Sequence, residues 1–191
     1  MVGNKNNSIC VQTGLPCGFP CCSECPLYKE RAKYDSEADT LIHINIVGQM
    51  LLAVAKEFAN RSQVHDASKL KSPEKEYFDE WTPKLAACTY GSDEYKQLLG
   101  HLKLGLDHHY KNNSHHPEHY PNGVDGMNLF DLVEMFFDWW AATKRHNDGD
   151  ILKSIEHNEC RFSLSPQISN IFRNTVKFCQ SNLNEPEFMT K

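Results

Sequence analysis

The sequence predicts an all-α protein that begins with an irregular, cysteine-rich segment. Long stretches repeat apolar residues at helical spacing, and no stretch of useful length alternates apolar and polar residues as a strand does. Glycines and prolines crowd the start of the chain. With 191 residues, 40% of them hydrophobic and 24% charged, the chain suffices for one soluble domain with a sizeable core.

Residues 1–28 are expected to form a Cys-rich segment that precedes a helical domain over residues 29–191. Closely spaced glycines and prolines break regular structure here, so the segment needs a bound metal or cross-links to hold a shape. Five of the eight cysteines lie in it: Cys10, Cys17, Cys21, Cys22 and Cys25. We expect four of these thiolates to bind a structural Zn²⁺; an iron–sulfur cluster and free or disulfide-bonded cysteines are the alternatives.

The first helix is predicted within residues 29–60, where apolar residues recur at intervals of three and four. His43 lies on the apolar face of this helix. The pair His65-Asp66 opens the next element after a short connector, and residues 73–87 form a further short helix.

Residues 93–111 are predicted to form a helix that places His109 on the same stripe as several leucines. A loop rich in His, Asn and Pro follows. Residues 128–146 form a strong aromatic helix, and a final helix runs through SPQISNIFRNTVKFCQSNL. The aromatic helix carries three carboxylates close to one face: Asp131, Glu134 and Asp138.

Composition argues against two classes of partner. A net charge of −5 gives no sign of a strongly basic, nucleic-acid-binding surface. No apolar run was expected to approach the roughly 20 residues that span a bilayer. The first ten residues, MVGNKNNSIC, lack the apolar core of a secretory signal, so we expect a cytoplasmic protein.

Histidines and aspartates are the most informative residues. His43 and the pair His65-Asp66 precede a dense run of histidines, and Asp138 follows it. The run holds six of the ten histidines within 19 residues: His101, His108, His109, His115, His116 and His119. Imidazole is the commonest protein ligand for divalent transition metals, and carboxylates complete such sites. An ionised Asp138 among aromatic residues is costly unless it is paired or metal-bound.

Several cations lie near these residues in the sequence. Lys69 follows His65 by one helical turn, and Lys144 and Arg145 lie beyond Asp138, where they could meet a phosphate or nucleotide. His109, His115 and His116 could bind a second metal or the substrate phosphate. Which of these three and His108 are ligands stays open.

The order His43, His65-Asp66, Asp138 resembles the ligand order of the HD-domain phosphohydrolases. More closely, HDASKL, HHYKNNSHHPEHY and LVEMFFDWWAA together resemble DUF5662, a family of uncharacterised phage and bacterial proteins, over about residues 38–146. A phage-encoded member would act in the host cytoplasm.

The HD resemblance implies an all-α, HD-like bundle in which His43, His65, Asp66 and Asp138 bind a divalent Mn, Co, Ni, Fe or Zn ion. It further implies hydrolysis of a nucleotide or another small phosphate ester by metal-activated water, with Asp66 and Lys69 among the catalytic residues. Several HD nucleotidases place a Glu where this chain has Lys69. The general acid is therefore open, and Glu118 or Glu134 could serve.

Other interpretations stay open beside this one. Asp66 could cap a helix, His43 could be a core histidine, Lys69 could be an ordinary surface residue, and the histidine loop could be a solvated turn. At the level of function, the alternatives are a di-iron oxygenase on the same fold and a zinc-stabilised adaptor that binds a protein partner. The oligomeric state, including a homo-oligomer, is not determined by the sequence.

Overall fold

The structure is a computed structural model that describes residues 36–86, 93–144 and 149–183. The described residues contain helices and no strand, which confirms the all-α prediction. The α-helices are α1 Glu37–Val64, α2 Glu74–Ala86, α3 Asp93–Asn112, α4 Leu129–Thr143, α5 Ile151–Phe162 and α6 Pro166–Asn182. Three single turns of 3₁₀-helix lie between them: Ala67–Leu70, Pro117–His119 and Gly123–Gly126.

The chain divides into two units, residues 1–56 and residues 57–191. The described part of the first unit is the N-terminal part of α1, and large apolar side chains of this part are exposed, among them Leu41, Ile42, Met50 and Leu52. The helical stretch from Glu37 to Leu70, which is α1 with the 3₁₀ turn that follows it, is long and apolar enough, by length and composition alone, to cross a membrane, with a mean hydropathy of 1.4 in its best window. The expectation that no apolar run approaches this length is not supported by this stretch, because the Leu, Ile and Val residues of α1 outweigh the polar residues among them. A cytoplasmic location stays a prediction.

The second unit has its core where α4, α5 and α6 pack together. The core side chains are Met135, Phe136, Trp140, Ile151, Ile155, Phe172 and Val176. Phe136 and Phe172 stack with ring centroids 4.8 Å apart. Helix α4 therefore presents its apolar face to this core, and its carboxylate face is left for other contacts.

Helices α4, α5 and α6 each begin directly after a residue whose side chain caps the helix. Asn128 and Asp131 form a reciprocal capping box at the start of α4, and Asp150 and Ser165 cap α5 and α6. Helix α5 was not predicted. Its signal was present in the sequence, since Asp150 precedes Ile151 and Ile155, which lie one turn apart and are both buried.

Helices α2 and α3 pack closely because Gly105 has no side chain. A Cβ atom at Gly105 would lie 2.7 Å from Cβ of Tyr77 on α2. This contact brings the first turn of α2, which carries Glu74, against the last turns of α3, which carry His108 and His109.

Candidate metal centre

Asp66 lies at the centre of the site in an unusual backbone conformation. Its φ of 56° and ψ of 12° place it in the left-handed region, which aspartate tolerates better than most residues. Its carboxylate makes no capping hydrogen bond to the following 3₁₀ turn. The capping interpretation is therefore wrong, and the side chain is directed at the histidines instead.

Two histidines approach the same oxygen of Asp66. The Nε2 atom of His109 lies 3.2 Å and that of His115 lies 3.4 Å from Asp66 Oδ1. Neither contact has hydrogen-bond geometry: Asp66 Oδ1 and His115 Nε2 are buried and lack a hydrogen-bond partner among the described residues. Buried polar atoms are rarely left unsatisfied, so their convergence fits a bound cation.

His116 completes this group. Its Nε2 atom is 2.9 Å from Nε2 of His109. With Glu74 accepting a hydrogen bond from Nδ1 of His109, the neutral tautomer of His109 has no proton on Nε2. A separation of 2.9 Å between two ring nitrogens then requires a proton from His116 or a metal ion between them. Asp66, His109, His115 and His116 have ligand atoms within 4.8 Å of one another.

A second group shares Asp66. His65 Nε2 lies 3.7 Å from Asp66 Oδ2 and 3.6 Å from Asp138 Oδ1. These three residues also offer ligand atoms within 4.8 Å of one another. The two groups therefore meet at one carboxylate that has an oxygen directed to each of them. Such a set could hold two ions with Asp66 as the bridging ligand.

The pKa values of the site residues are shifted because many charged and ionisable groups are packed closely together. Contacts with Asp138 and Glu134 raise the pKa of His65 to about 10. Burial opposes ionisation of Asp66, but the neighbouring His109, His115 and Lys69 outweigh it and hold the pKa of the carboxyl far below its usual range. Burial, together with His115 and His109, lowers the pKa of His116 to about 3, so this imidazole is neutral at physiological pH.

Lys69 is the cation beside the centre. Its Nζ atom donates to Asp66 Oδ2 at 2.6 Å and lies 5.4 Å from the centre of the Phe78 ring. The side chain is partly exposed, so it can also meet a bound molecule.

Glu134 lies behind the histidines. Its Oε1 accepts from His65 Nδ1 at 2.8 Å and lies 3.3 Å from His115 Nδ1. Burial disfavours its ionised form, but His115, His65 and Arg61 hold the pKa of Glu134 well below its usual range. With His65 and His115, Glu134 also forms a third set of closely spaced ligand atoms.

Glu74 is a functional candidate that the sequence did not reveal. It is fully buried and accepts from His108 Nδ1 and His109 Nδ1, each at 2.8 Å, and from the hydroxyl of Ser68 at 2.8 Å. Acidic residues are common in the first turn of a helix, so the sequence around Glu74 resembles an ordinary helix start.

A cavity of about 540 Å³ borders this carboxylate side of the site. Its lining includes Arg61, Ser68, His108, His115 and Glu134, whereas Asp66, Glu74, His109, His116 and Asp138 do not line it. The cavity therefore borders the site at Glu134 and His115 and does not reach Asp66.

Most of the site residues predicted from the sequence come together here: His65, Asp66, Lys69, His109, His115, His116, Glu134 and Asp138. Glu118 does not join them; it pairs with Arg161 at 2.8 Å. Lys144 follows the end of α4 and belongs to none of the groups of ligand atoms. Arg145 and the five N-terminal cysteines lie outside the described residues.

His43 is exposed on the part of α1 that belongs to the first unit. The core-histidine interpretation therefore has no support. Among the described residues, no group of ligand atoms includes His43.

We expect His43→Ala to leave the number of bound metal ions per chain unchanged, because an exposed imidazole with no neighbouring ligand contributes little affinity. Metal analysis of the purified variant beside wild type checks this. His109→Ala, which removes a clustered imidazole, is the matched comparison and should lose metal. A loss in His43→Ala equal to that in His109→Ala would restore His43 as a ligand.

Comparison with protein families matches residues 32–178 to one described as "Family of unknown function (DUF5662)". No curated protein and no solved structure matches the chain.

Proposed function

The chain belongs to DUF5662, a family of unknown function, and from the geometry of its site we propose that it is a metal-dependent phosphohydrolase. The observation that carries the proposal is the convergence of His109 Nε2 and His115 Nε2 on the buried, unpartnered Asp66 Oδ1. Two ligand groups that share one carboxylate favour a pair of ions, which in two-metal hydrolases lie about 3.5–4 Å apart.

The types of ligand atom limit which metal ions can bind at this site. Mixed imidazole and carboxylate donors suit Mn²⁺, Co²⁺, Ni²⁺, Fe²⁺ or Zn²⁺. Such an ion lowers the pKa of a water molecule and polarises a phosphoryl oxygen. We further propose an HD-type arrangement of the helices, supported by the order of His65-Asp66, the histidine loop and Asp138 around the site.

The protein side chains have distinct roles in this proposal. The substrate is a nucleotide or another small phosphate ester, and Lys69 stabilises negative charge on its non-bridging oxygens. Glu134 is a poor general acid, because three donors hold it in the ionised form. Glu118 is paired with Arg161 and stands outside the ligand groups, so we assign it no catalytic role.

The test is phosphate release by chelator-treated protein after readdition of each candidate metal. The substrates are a panel of nucleoside mono-, di- and triphosphates, cyclic nucleotides and a chromogenic phosphate ester. We expect no release without metal and release from at least one substrate with metal. Tight metal binding without turnover on any substrate would overturn the hydrolase and favour the adaptor.

One observation favours a second candidate. The imidazoles and the carboxylate gathered at Asp66 also suit iron, since two histidines and one carboxylate with open positions are the ligand set of non-haem Fe²⁺ oxygenases. Loading metal-free protein with Fe²⁺ under argon and then admitting oxygen distinguishes the two. Stoichiometric oxygen uptake with oxidation of both irons supports the oxygenase, whereas phosphate release without oxygen uptake supports the hydrolase.

Removing the metal is expected to lower the melting temperature by about 10 °C. An ion present at about 1,000 times its Kd stabilises the folded state by about 4 kcal/mol. For a chain of this size each kcal/mol shifts the melting temperature by roughly 2–4 °C. Differential scanning calorimetry with and without EDTA measures the shift. The same EDTA addition should lower the melting temperature of Asp66→Ala by less than that of wild type; equal shifts in both proteins would contradict a site at Asp66.

A further inference from the structure

Two glutamates hold the imidazoles from behind, and each contacts two of them. Glu134 contacts Nδ1 of His65 and of His115, whereas Glu74 contacts Nδ1 of His108 and of His109. A carboxylate at Nδ1 fixes the tautomer and ring orientation of a histidine and makes its Nε2 a better metal ligand.

The two glutamates differ in which ion position they serve. Glu134 joins one histidine from each ligand group, since His65 belongs with Asp138 and His115 belongs with His109 and His116. Glu74 reaches a single group through His109, because its other partner, His108, belongs to neither group.

The side chain of Glu134 is held in position by hydrogen bonds. Its Oε2 accepts from Arg61 Nη1 at 2.9 Å, and the same Nη1 donates to Asp131 Oδ1 at 2.9 Å. Asp131 is fully buried and also accepts from the hydroxyls of Ser114 and Tyr120. The carboxylate that links the two groups is thus anchored through Arg61 to a buried residue one turn earlier on α4.

We propose that Glu134 is a positioning residue for both ion positions, and that Glu74 is a positioning residue for one. Glu134 acts through His65 and His115, so a change at Glu134 weakens both ions together. A change at Glu74 weakens only the ion bound by Asp66, His109, His115 and His116. This inference rests on the proposed metal centre.

Replacing either glutamate by glutamine removes the negative charge and keeps the shape of the side chain. A glutamine at position 134 has one acceptor oxygen and one NH₂ group in place of the two carboxylate oxygens. The NH₂ group must therefore face either Arg61 or the two histidines that Glu134 contacts, and the contact on that side is lost. At position 74 the NH₂ group must likewise face His108 or His109. Loss of such a contact behind a metal ligand costs about 10- to 100-fold in metal affinity.

The experiment is a Co²⁺ titration of metal-free protein, followed by calorimetry and by the visible absorption of bound cobalt. Wild type should bind two ions per chain. We expect Glu134→Gln to weaken both binding steps by about 10- to 100-fold and Glu74→Gln to weaken one step by that factor. Glu57→Gln is the matched control: Glu57 accepts from Nε of the same Arg61 but touches no histidine, so both steps should stay as in wild type.

Each other outcome is decisive. If Glu134→Gln weakens one step and leaves the other unchanged, Glu134 serves a single ion and the inference is overturned. The same holds if Glu74→Gln weakens both steps equally. If Glu134→Gln loses one ion outright while the visible spectrum of the remaining ion is unchanged, Glu134 is itself a ligand, with His65 and His115.

Failure of the metal centre is distinguishable from failure of this inference. Wild type that binds no Co²⁺ would remove the proposed centre and with it the positioning roles. If wild type binds two ions but the variants do not show the expected losses, the metal centre is supported and only the positioning roles are rejected. If Glu134→Gln does not fold, Glu134→Asp replaces it: the shorter side chain keeps its charge beside Arg61 but withdraws the carboxylate from His65 and His115, so both steps should weaken together, and a change in one step contradicts the proposal.

Discussion

Replacing Asp66 by alanine is expected to abolish binding of both metal ions and, with them, phosphate release, because the metal supplies the activated water and polarises the phosphoryl oxygen. The reason is that Asp66 is the residue common to both ligand groups: Oδ1 faces His109 and His115, and Oδ2, which also accepts from Lys69, faces His65. Asp138 belongs to only one of the two groups, so it cannot replace Asp66 in both.

The measurement is metal content per chain together with phosphate release on the best substrate of the panel. Asp107→Ala is the matched control, because Asp107 is exposed on α3 and pairs with Lys103. The control should retain both ions and full activity. Retention of one ion in Asp66→Ala would show that Asp66 is not shared, and retention of full activity would place the chemistry elsewhere in the protein.

Replacing Asp131 by alanine is expected to destabilise the metal-free protein by about 3–5 kcal/mol, the range for removing one partner of a buried ion pair. Asp131 is fully buried and accepts hydrogen bonds from Arg61, Ser114, Tyr120 and the backbone of Asn128. Its loss leaves Arg61, whose side chain is 20% exposed, without its most buried counter-charge and also removes the capping box of α4.

Urea unfolding in EDTA measures this effect on the free energy of unfolding without a contribution from the metal. Tyr120→Phe and Ser114→Ala each remove one neutral donor and should cost about 1 kcal/mol. Asp125→Ala, at an exposed position, is the control and should change the free energy by less than about 0.5 kcal/mol. A loss below about 1 kcal/mol in Asp131→Ala would mean that the pair with Arg61 contributes little to stability.

Helix periodicity made much of the fold predictable. The predicted ranges 93–111 and 73–87 agree closely with α3 and α2, because their apolar residues recur at helical spacing. The long α1 extends beyond its predicted end: the prediction covers residues 29–60, of which the structure describes residues 36–60, and the described helix is Glu37–Val64. Helix ends depend on local capping and tertiary contacts, which periodicity does not report.

Part of the site could also be predicted. Asp131, Glu134 and Asp138 share one face of a helix by spacing alone, and the structure directs all three toward polar partners. His43 illustrates the limit. Its order in the chain suggests a ligand, but ligand order does not place a side chain; His43 is exposed on α1, and its role as a ligand stays a prediction.

The sequence by itself determined the helical class, the family and the residue types able to bind a metal, since these depend on periodicity and composition. Only the tertiary structure decided which of them meet. The left-handed Asp66 turns its carboxylate toward His109 and His115, and the contact of α2 with α3 at Gly105 brings Glu74 behind His109. Contacts between residues distant in the chain depend on packing and backbone conformation, which local patterns in the sequence do not record.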